Sequence, residues 1–281
     1  MVVTYEPAPE LMENLTALRP QVERLIVVDN GSSAEKLEMI RRAVQRTNFE
    51  CLENGTNLGV ATALNRGIEH ALEAGAEWLF LFDQDSRVTA GFVESMLGAY
   101  AASPWGERLK ILTPQYKDAG SGEMLPSMPA KQGIAIALTS GSLLRAGTLR
   151  EYGLFRDELF IDEVDHEYSL RLRRAGMVLE QTDAAILLHA LGSPTAHSIA
   201  ARDFRVTNYS AVRRYYQERN KVWMARHYGL SFPGFVLSRF RMTLADMWKI
   251  VAFEDDKRVK IRYSLRGMVD GLRGRMGRLE N

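Results

Sequence analysis

The chain has 281 residues, 46% of them apolar and 25% charged, with a formal net charge of +1. That balance fits a globular protein with a sizeable core and excludes a disordered or collagen-like chain. The single cysteine, Cys51, excludes an internal disulfide and points to a reducing, cytosolic setting; Met1 leads straight into Val2-Val3-Thr4, so no signal peptide is expected, and no run reaches the about 18 apolar residues of a spanning helix.

Taken in order, the first half alternates strand and helix. Met1–Tyr5 reads as an apolar, β-branched strand, and Pro9–Leu18 as a helix with Leu11, Leu15 and Leu18 on one face. Arg24–Asp29 is a second buried strand. Ala34–Arg46 is an amphipathic helix with Ser32 and Ser33 as candidate caps. Phe49–Glu53 is a short strand, Gly59–Ala74 a helix, Glu77–Asp83 a strand, Gly91–Ala102 a helix and Lys110–Gln115 a strand. Strands alternating with helices predict an α/β fold around a mostly parallel sheet. Residues 117 to 133 are rich in Gly, Ser and Pro and read as a loop. Ile134–Leu144 is strand-like but interrupted at Ser140-Gly141, Glu163–Ala175 is a helix and Ala184–His189 a strand. From about Arg213 the pattern is helical and basic. Residues 1 to 196 hold 18 Lys+Arg against 27 Asp+Glu, and residues 197 to 281 hold 18 against 8. A boundary near residue 200 is expected, with a basic C-terminal region facing an anionic partner.

Ligands of open α/β sheets bind at the carboxyl ends of the strands. Four such ends are polar here: Thr4-Tyr5-Glu6, Asp29-Asn30-Gly31-Ser32, Asn54 to Gly59, and Asp83-Gln84-Asp85-Ser86. Asp83 and Asp85 are spaced i, i+2, which in extended backbone turns both carboxylates to one side and seats a divalent cation carrying a diphosphate. Gly59 opens a helix whose N-terminus favours a phosphate. Asp29 suits a base N–H or a ribose hydroxyl, or equally a helix cap. Residues Phe160 to Arg171 carry four acids in six positions. Helix-dipole complementarity accounts for about two of them, and Asp162 with Asp165, at i, i+3, reads as one helical face holding a general base. His189, at a strand end, is either structural or a third metal ligand.

These segments, with Ser140-Gly141 and with Arg214-Tyr215-Tyr216 followed by Arg219-Asn220, recur in an order that resembles the inverting glycosyltransferases of family 2, which have the GT-A fold. The Asp-Gln-Asp-Ser form and the Arg-Tyr-Tyr…Arg-Asn segment are similar to a bacterial rhamnosyltransferase. The resemblance implies a catalytic domain over residues 1 to 200, with a nucleotide-sugar half to about 115 and an acceptor half from about 116. A helical region over 201 to 281 follows. It implies Mg²⁺ or Mn²⁺ on Asp85, Asp83 and His189, and Asp165 as general base. Asp162 stands by for the acid that many relatives carry where this chain has Val164. Donor binding falls to Thr4, Tyr5, Glu6, Asp29, Asn57, Gly59, Asn65, Asp83 and Gln84. Ser140, Gly141, Arg214, Tyr215, Arg219 and Asn220 lie on the acceptor or diphosphate side. By the same resemblance the N-terminus is trimmed by a few residues of its first strand.

The implied reaction moves L-rhamnose from dTDP-β-L-rhamnose to a lipid-linked saccharide, or to a glycolipid such as a rhamnolipid precursor. Its implied place is the inner face of a bacterial cell membrane. The apolar residues of 235 to 253 and the eight Lys/Arg of 257 to 278 suit contact with an anionic membrane or with a second subunit. A nucleotidyltransferase would need a Gly-rich basic loop where Thr4-Tyr5-Glu6-Pro7 stands. A nucleic-acid-binding protein is disfavoured by the acidic first 196 residues, and a membrane-embedded synthase by the lack of spanning helices.

Overall fold

The computed structural model describes residues 1–47, 49–126, 131–189, 195–199 and 202–280. The expected boundary near residue 200 and part of the 117–133 loop lie outside them. Contacts divide the chain into two compact units. Unit 1 comprises Met1–Asp157 and Asp165–Ala190; unit 2 comprises Glu158–Val164 and Leu191–Asn281.

Unit 1 is built on an eight-stranded sheet. In chain order the strands are β1 (Val2–Thr4), β2 (Ile26–Asp29), β3 (Glu50–Glu53), β4 (Trp78–Asp83), β5 (Ser86–Val88), β6 (Leu109–Asp118), β7 (Ser142–Arg145) and β8 (Val178–His189). Their spatial order is β3-β2-β1-β4-β7-β6-β8-β5. The half from β3 to β4 is parallel, and β6 pairs in parallel with β8. β7 runs antiparallel to both its neighbours, and β5 antiparallel to β8. The sheet is therefore mixed where an alternating pattern predicts parallel pairing: β5 follows β4 through a two-residue turn, which reverses the chain instead of crossing over. The strand-like run Ile134–Leu144 also resolves differently, since only its last residues join β7, while Ile134, Ile136 and Ala137 are buried without entering a strand.

Helices α1 (Leu11–Leu18), α2 (Ala34–Thr47), α3 (Val60–Glu73), α4 (Phe92–Ala102), α5 (Ala146–Tyr152) and α6 (Val164–Arg174) accompany the sheet. α1 turns Leu11, Leu15 and Leu18 inward, as their spacing predicts. Phe80, Phe82 and Phe92 pack with ring centroids 6.0–6.1 Å apart. Burial of each such ring contributes roughly 1.5–3 kcal/mol, which anchors β4 and holds its polar end in place. Ser33 holds the N-cap position of α2, its carbonyl accepting the Leu37 N–H at 2.9 Å, but neither serine hydroxyl is seen to bond the helix. Ser32 Oγ is bound to Asp29 and Glu6, and Ser33 Oγ donates to Glu6.

Unit 2 holds a hairpin of β9 (Thr195–Ile199) and β10 (Arg202–Val206) and three helices, α7 (Ala211–Tyr228), α8 (Pro233–Phe253) and α9 (Lys257–Arg273). Its interior holds charged groups beside aromatic ones such as Trp223 and Tyr228. Glu254 is buried between Arg214 at 2.7 Å and Lys260 at 2.8 Å, and Glu218 between Lys221 and Thr243, each at 2.8 Å. α9 approaches α7 through Gly267 and Gly271. A Cβ there would lie 2.3 Å from the Tyr215 carbonyl oxygen and 2.6 Å from that of Arg219.

Candidate active site

Sheet register brings the polar strand ends together. Thr4 lies beside Asp29 and Asp29 beside Glu53, while Val3 lies beside Asp83 on the other flank of β1. At the far side of the sheet, His189 at the end of β8 is paired with Ser86 of β5 and with Asp118 of β6. One ligand atom each from Asp83, Asp85 and His189 lies within 4.8 Å of the others. His189 Nδ1 is 3.0 Å from Ser86 Oγ and 3.7 Å from Asp85. Ser86 Oγ is 2.5 Å from Ser140 Oγ, which also accepts the Asp83 N–H at 3.1 Å. Both serines are buried, so they fix the imidazole and the Asp83 backbone from behind. Ser86 is a residue that sequence reasoning left without a role. Its place directly after Asp85 is the signal that could have found it.

The electrostatics suit a cation. Burial first, and then the charge of Asp85, push the Asp83 carboxyl up to about 6; His189 pulls it down and Asp165 adds to the rise. Among the described residues, no Lys or Arg forms an ion pair with Asp83 or Asp85. Two carboxylates and an imidazole with uncompensated negative charge form an oxygen- and nitrogen-donor set that fits a divalent ion.

Asp165, in the first turn of α6, acts on this cluster through its charge. Its charge reaches both Asp83 and the hydroxyl of Tyr116, whose pKa is pushed well above normal chiefly by burial. Burial pushes the Asp165 carboxyl up, but His166 overrides it and takes it below the usual carboxylate range. The His166 ring Nδ1–H and backbone N–H each donate to Asp165 Oδ1 at 2.8 Å. Asp165 is thus ionised at neutral pH and held in one orientation. His166 is a second residue that carried no expected role.

Asp162 lies outside helix α6. It precedes α6 with φ 61°, flanked by Phe160 at 64° and Glu163 at 63°. Three left-handed residues in four positions cannot continue into a helix, so Asp162 and Asp165 do not share a helical face. Asp162 instead accepts two hydrogen bonds from Arg213, at 3.2 Å each. The segment is held by α7. The Asn220 amide donates to the carbonyls of Leu159, Ile161 and Asp162 at 2.8–2.9 Å, and Arg219 donates to those of Glu158 and Leu159. Arg219 and Asn220 are fully buried. Phe160 stacks on Tyr216 at 4.7 Å. Arg214 and Tyr215 are also buried, on Glu254 and Asp270.

Several donor-side candidates are engaged within the chain. Asp29 accepts the Gly31 and Ser32 N–H groups at 3.1 and 3.0 Å, which closes the turn after β2. Asn57 accepts from Gly59 N–H at 2.9 Å at the start of α3, where Gly59 has φ 90°, a region glycine enters without strain. Asn65 is buried and bonded to the Phe155 backbone and to Asp157. Gln84 accepts the Tyr5 N–H at 2.8 Å, Glu6 accepts from Ser33 N–H, and the Gly141 N–H donates to Leu81. Thr4 is buried, whereas the Tyr5 ring is about half exposed. A cavity of about 530 Å³, lined by Met1, Leu25, Ile26 and Trp78, lies at the amino ends of the strands, away from this chemistry.

The sequence profile of glycosyl transferase family 2 matches residues 1–113. Galactofuranosyltransferase GlfT1 of Mycobacterium tuberculosis (strain CDC 1551 / Oshkosh) is 30% identical, over 88% of this chain and 85% of its own length. This chain belongs to glycosyl transferase family 2. Another relative, the dTDP-rhamnosyl transferase RfbF of Shigella flexneri, is 28% identical over 99% of this chain and 96% of its own. Among solved structures, GalNAc-T7 with UDP, GalNAc and Mn²⁺ superposes with a TM-score of 0.63 at 11% identity. That alignment covers 97% of this family 2 glycosyltransferase but only 55% of the GalNAc-T7 chain. S. aureus TarS 1-349 in complex with UDP-GlcNAc gives a TM-score of 0.61 at 13% identity, covering 96% and 80%. These likenesses agree with the GT-A fold.

Proposed function

We propose that this glycosyltransferase moves L-rhamnose from dTDP-β-L-rhamnose to a hydroxyl of a lipid-linked saccharide, with inversion. The likeness to RfbF along nearly the full length of both chains carries the choice of sugar. The N-acetylglucosaminyl-diphospho-decaprenol L-rhamnosyltransferase of M. tuberculosis, 25% identical over 79% of this chain, supports both the sugar and a lipid-linked acceptor. Asp165 takes the proton from the acceptor hydroxyl as its oxygen attacks the anomeric carbon. The bond to the diphosphate breaks on the opposite face, so a single displacement inverts the centre and no glycosyl-enzyme forms. Asp83, Asp85 and His189 would hold a divalent cation, which would supply countercharge to the diphosphate as it leaves. Ser86 and Ser140 keep His189 and the end of β4 in place for it. The nucleotide sugar takes the half to about residue 115, with Tyr5 and Gln84 beside it, and the acceptor the half that follows.

Among the described residues no helix is long and apolar enough to cross a membrane; the reading places the enzyme peripherally at the inner face of the cell membrane, where its acceptor resides. The 30% identity to GlfT1 supports a second reading, a galactofuranosyl donor. A donor screen separates the two. Turnover of dTDP-rhamnose that depends on Mn²⁺ or Mg²⁺ and exceeds that of UDP-galactofuranose supports the first. Preference for UDP-galactofuranose, or full turnover in excess chelator, overturns the sugar or the metal respectively.

A further inference from the structure

The outer face of α8 carries the wrong residues for water. Of its 21 residues, the buried ones are Thr243 and Ile250. Leu237, Phe240, Leu244, Trp248 and Val251 are each about half exposed, at 48–59%. Their separations of three and four residues put them on a single stripe. Thr243 and Ile250 fall to one side of it, roughly a third of a turn round the helix. The stripe runs about 21 Å at 1.5 Å per residue. A helix that simply packed on its own chain would turn these five side chains inward. Soluble monomers rarely leave a row of large apolar groups in water.

α9 adds charge. Its buried residues Lys260, Ser264, Gly267 and Gly271 make one face, and the other exposes Leu265, Val269 and Leu272 among Arg258, Arg262, Arg266 and Arg273. Arg266 lies 3.8 Å from Asp270; Asp255 and Asp256, exposed between α8 and α9, oppose the positive field. Residues 257 to 278 nonetheless carry eight basic residues against the one acid, Asp270. A second copy meeting this face about a two-fold axis would bring like charges together. A surface of anionic headgroups neutralises them and receives the apolar stripe, and Trp248 is suited to the headgroup level.

We propose that unit 2 docks on an anionic lipid bilayer, with the Leu237–Val251 stripe of α8 entering the headgroup–acyl boundary and the α9 arginines on the phosphates. The proposal extends the functional reading above, since docking would hold enzyme and lipid-linked acceptor on one surface, but its observations are independent of the donor. The test is flotation of the full chain with vesicles of phosphatidylglycerol and phosphatidylcholine in equal parts, and with phosphatidylcholine alone. The full chain should float with the anionic vesicles at low salt and be released by high salt. A Leu244→Glu, Trp248→Glu variant and, separately, an Arg258→Glu, Arg262→Glu variant should each lose about tenfold or more in partitioning. Sugar transfer to a water-soluble acceptor should not change in either. Equal binding to neutral vesicles, or unchanged binding by both variants, overturns the proposal. So does sedimentation of the lipid-free chain as a dimer that Leu244→Glu, Trp248→Glu converts to a monomer, because the face is then a self-interface. Vesicle binding without any glycosyl transfer would instead count against the enzymatic reading and leave the docking intact.

Discussion

The buried acids of unit 2 and the acids at the strand ends of unit 1 meet opposite treatment. In unit 2 the buried acids of the helices are met by cations: Glu254 by Arg214 and Lys260, Glu218 by Lys221. At the strand ends of unit 1, Asp83 and Asp85 converge with only His189 to offset them, and the Asp83 carboxyl rises to about 6. Balanced charge holds helices in a fixed arrangement. Unbalanced charge is a site waiting for a ligand of the opposite sign, and it lowers stability until that ligand arrives.

The largest effect expected from breaking this contrast is in unit 2. Glu254→Gln removes the anion from between two buried cations and should cost about 3–5 kcal/mol. Hydrogen exchange of the α7 amides reads the loss locally, and protection within about 1 kcal/mol of wild type would show that the ion network is not what fixes the helices. In unit 1, Asp165→Asn keeps shape but removes basicity. Turnover should fall on the order of 10² or more, about 2.7 kcal/mol in barrier, while donor binding measured by calorimetry persists. Near-normal turnover in Asp165→Asn, with a loss in Asp162→Asn, would assign the base to Asp162.

Asp83→Asn should do what no change in unit 2 can, and raise stability while removing activity. The carboxyl holds its proton more tightly folded than unfolded, so its favourable contribution is present below about pH 4 and is lost as pH rises through about 6. In chelator, the variant should therefore melt with wild type at pH 4 and above it at pH 7.5, by roughly 2–3 kcal/mol. A lower melting temperature at pH 7.5 would mean that the charge at the strand end is not strained.

Glu50 supplies a balanced case at the surface and the smallest effect. Hydrogen bonds from Arg24 and then His70 lower its carboxyl to about 2. The support is present above about pH 4.5 and is lost as pH falls toward 2. Because the cluster is partly exposed, Glu50→Gln should cost under about 1 kcal/mol at pH 7. A cost as large as that at Glu254 would erase the distinction between buried and screened pairs.

The parallel half of the fold was legible because buried β-branched runs alternate with helices whose apolar residues recur every three or four positions. Pairing direction was not: Ser142–Arg145 looks the same whether its neighbours run with it or against it. β5, β9 and β10, of three to five residues, are too short for a period to register. At the candidate site, Asp83, Asp85 and His189 could be read because acids and histidines at strand ends have few structural duties. Asparagine at the same places has many. Asn57 and Asn65 read as donor contacts, yet their amides are bonded within the chain, and only coordinates separate those uses. The left-handed backbone at Phe160, Asp162 and Glu163 was hidden because none of them is glycine. Arg219 and Asn220, read as ligand contacts, are the groups that hold it.

Gly267 and Gly271 have a practical consequence for anyone who wishes to manipulate the enzyme. A Cβ at either point would lie inside contact distance of the α7 carbonyls, so a single methyl group acts as a wedge. Gly271→Ala offers a route to a conditional allele, one in which modest warming splits the helices while the sheet that bears Asp83 keeps its shape.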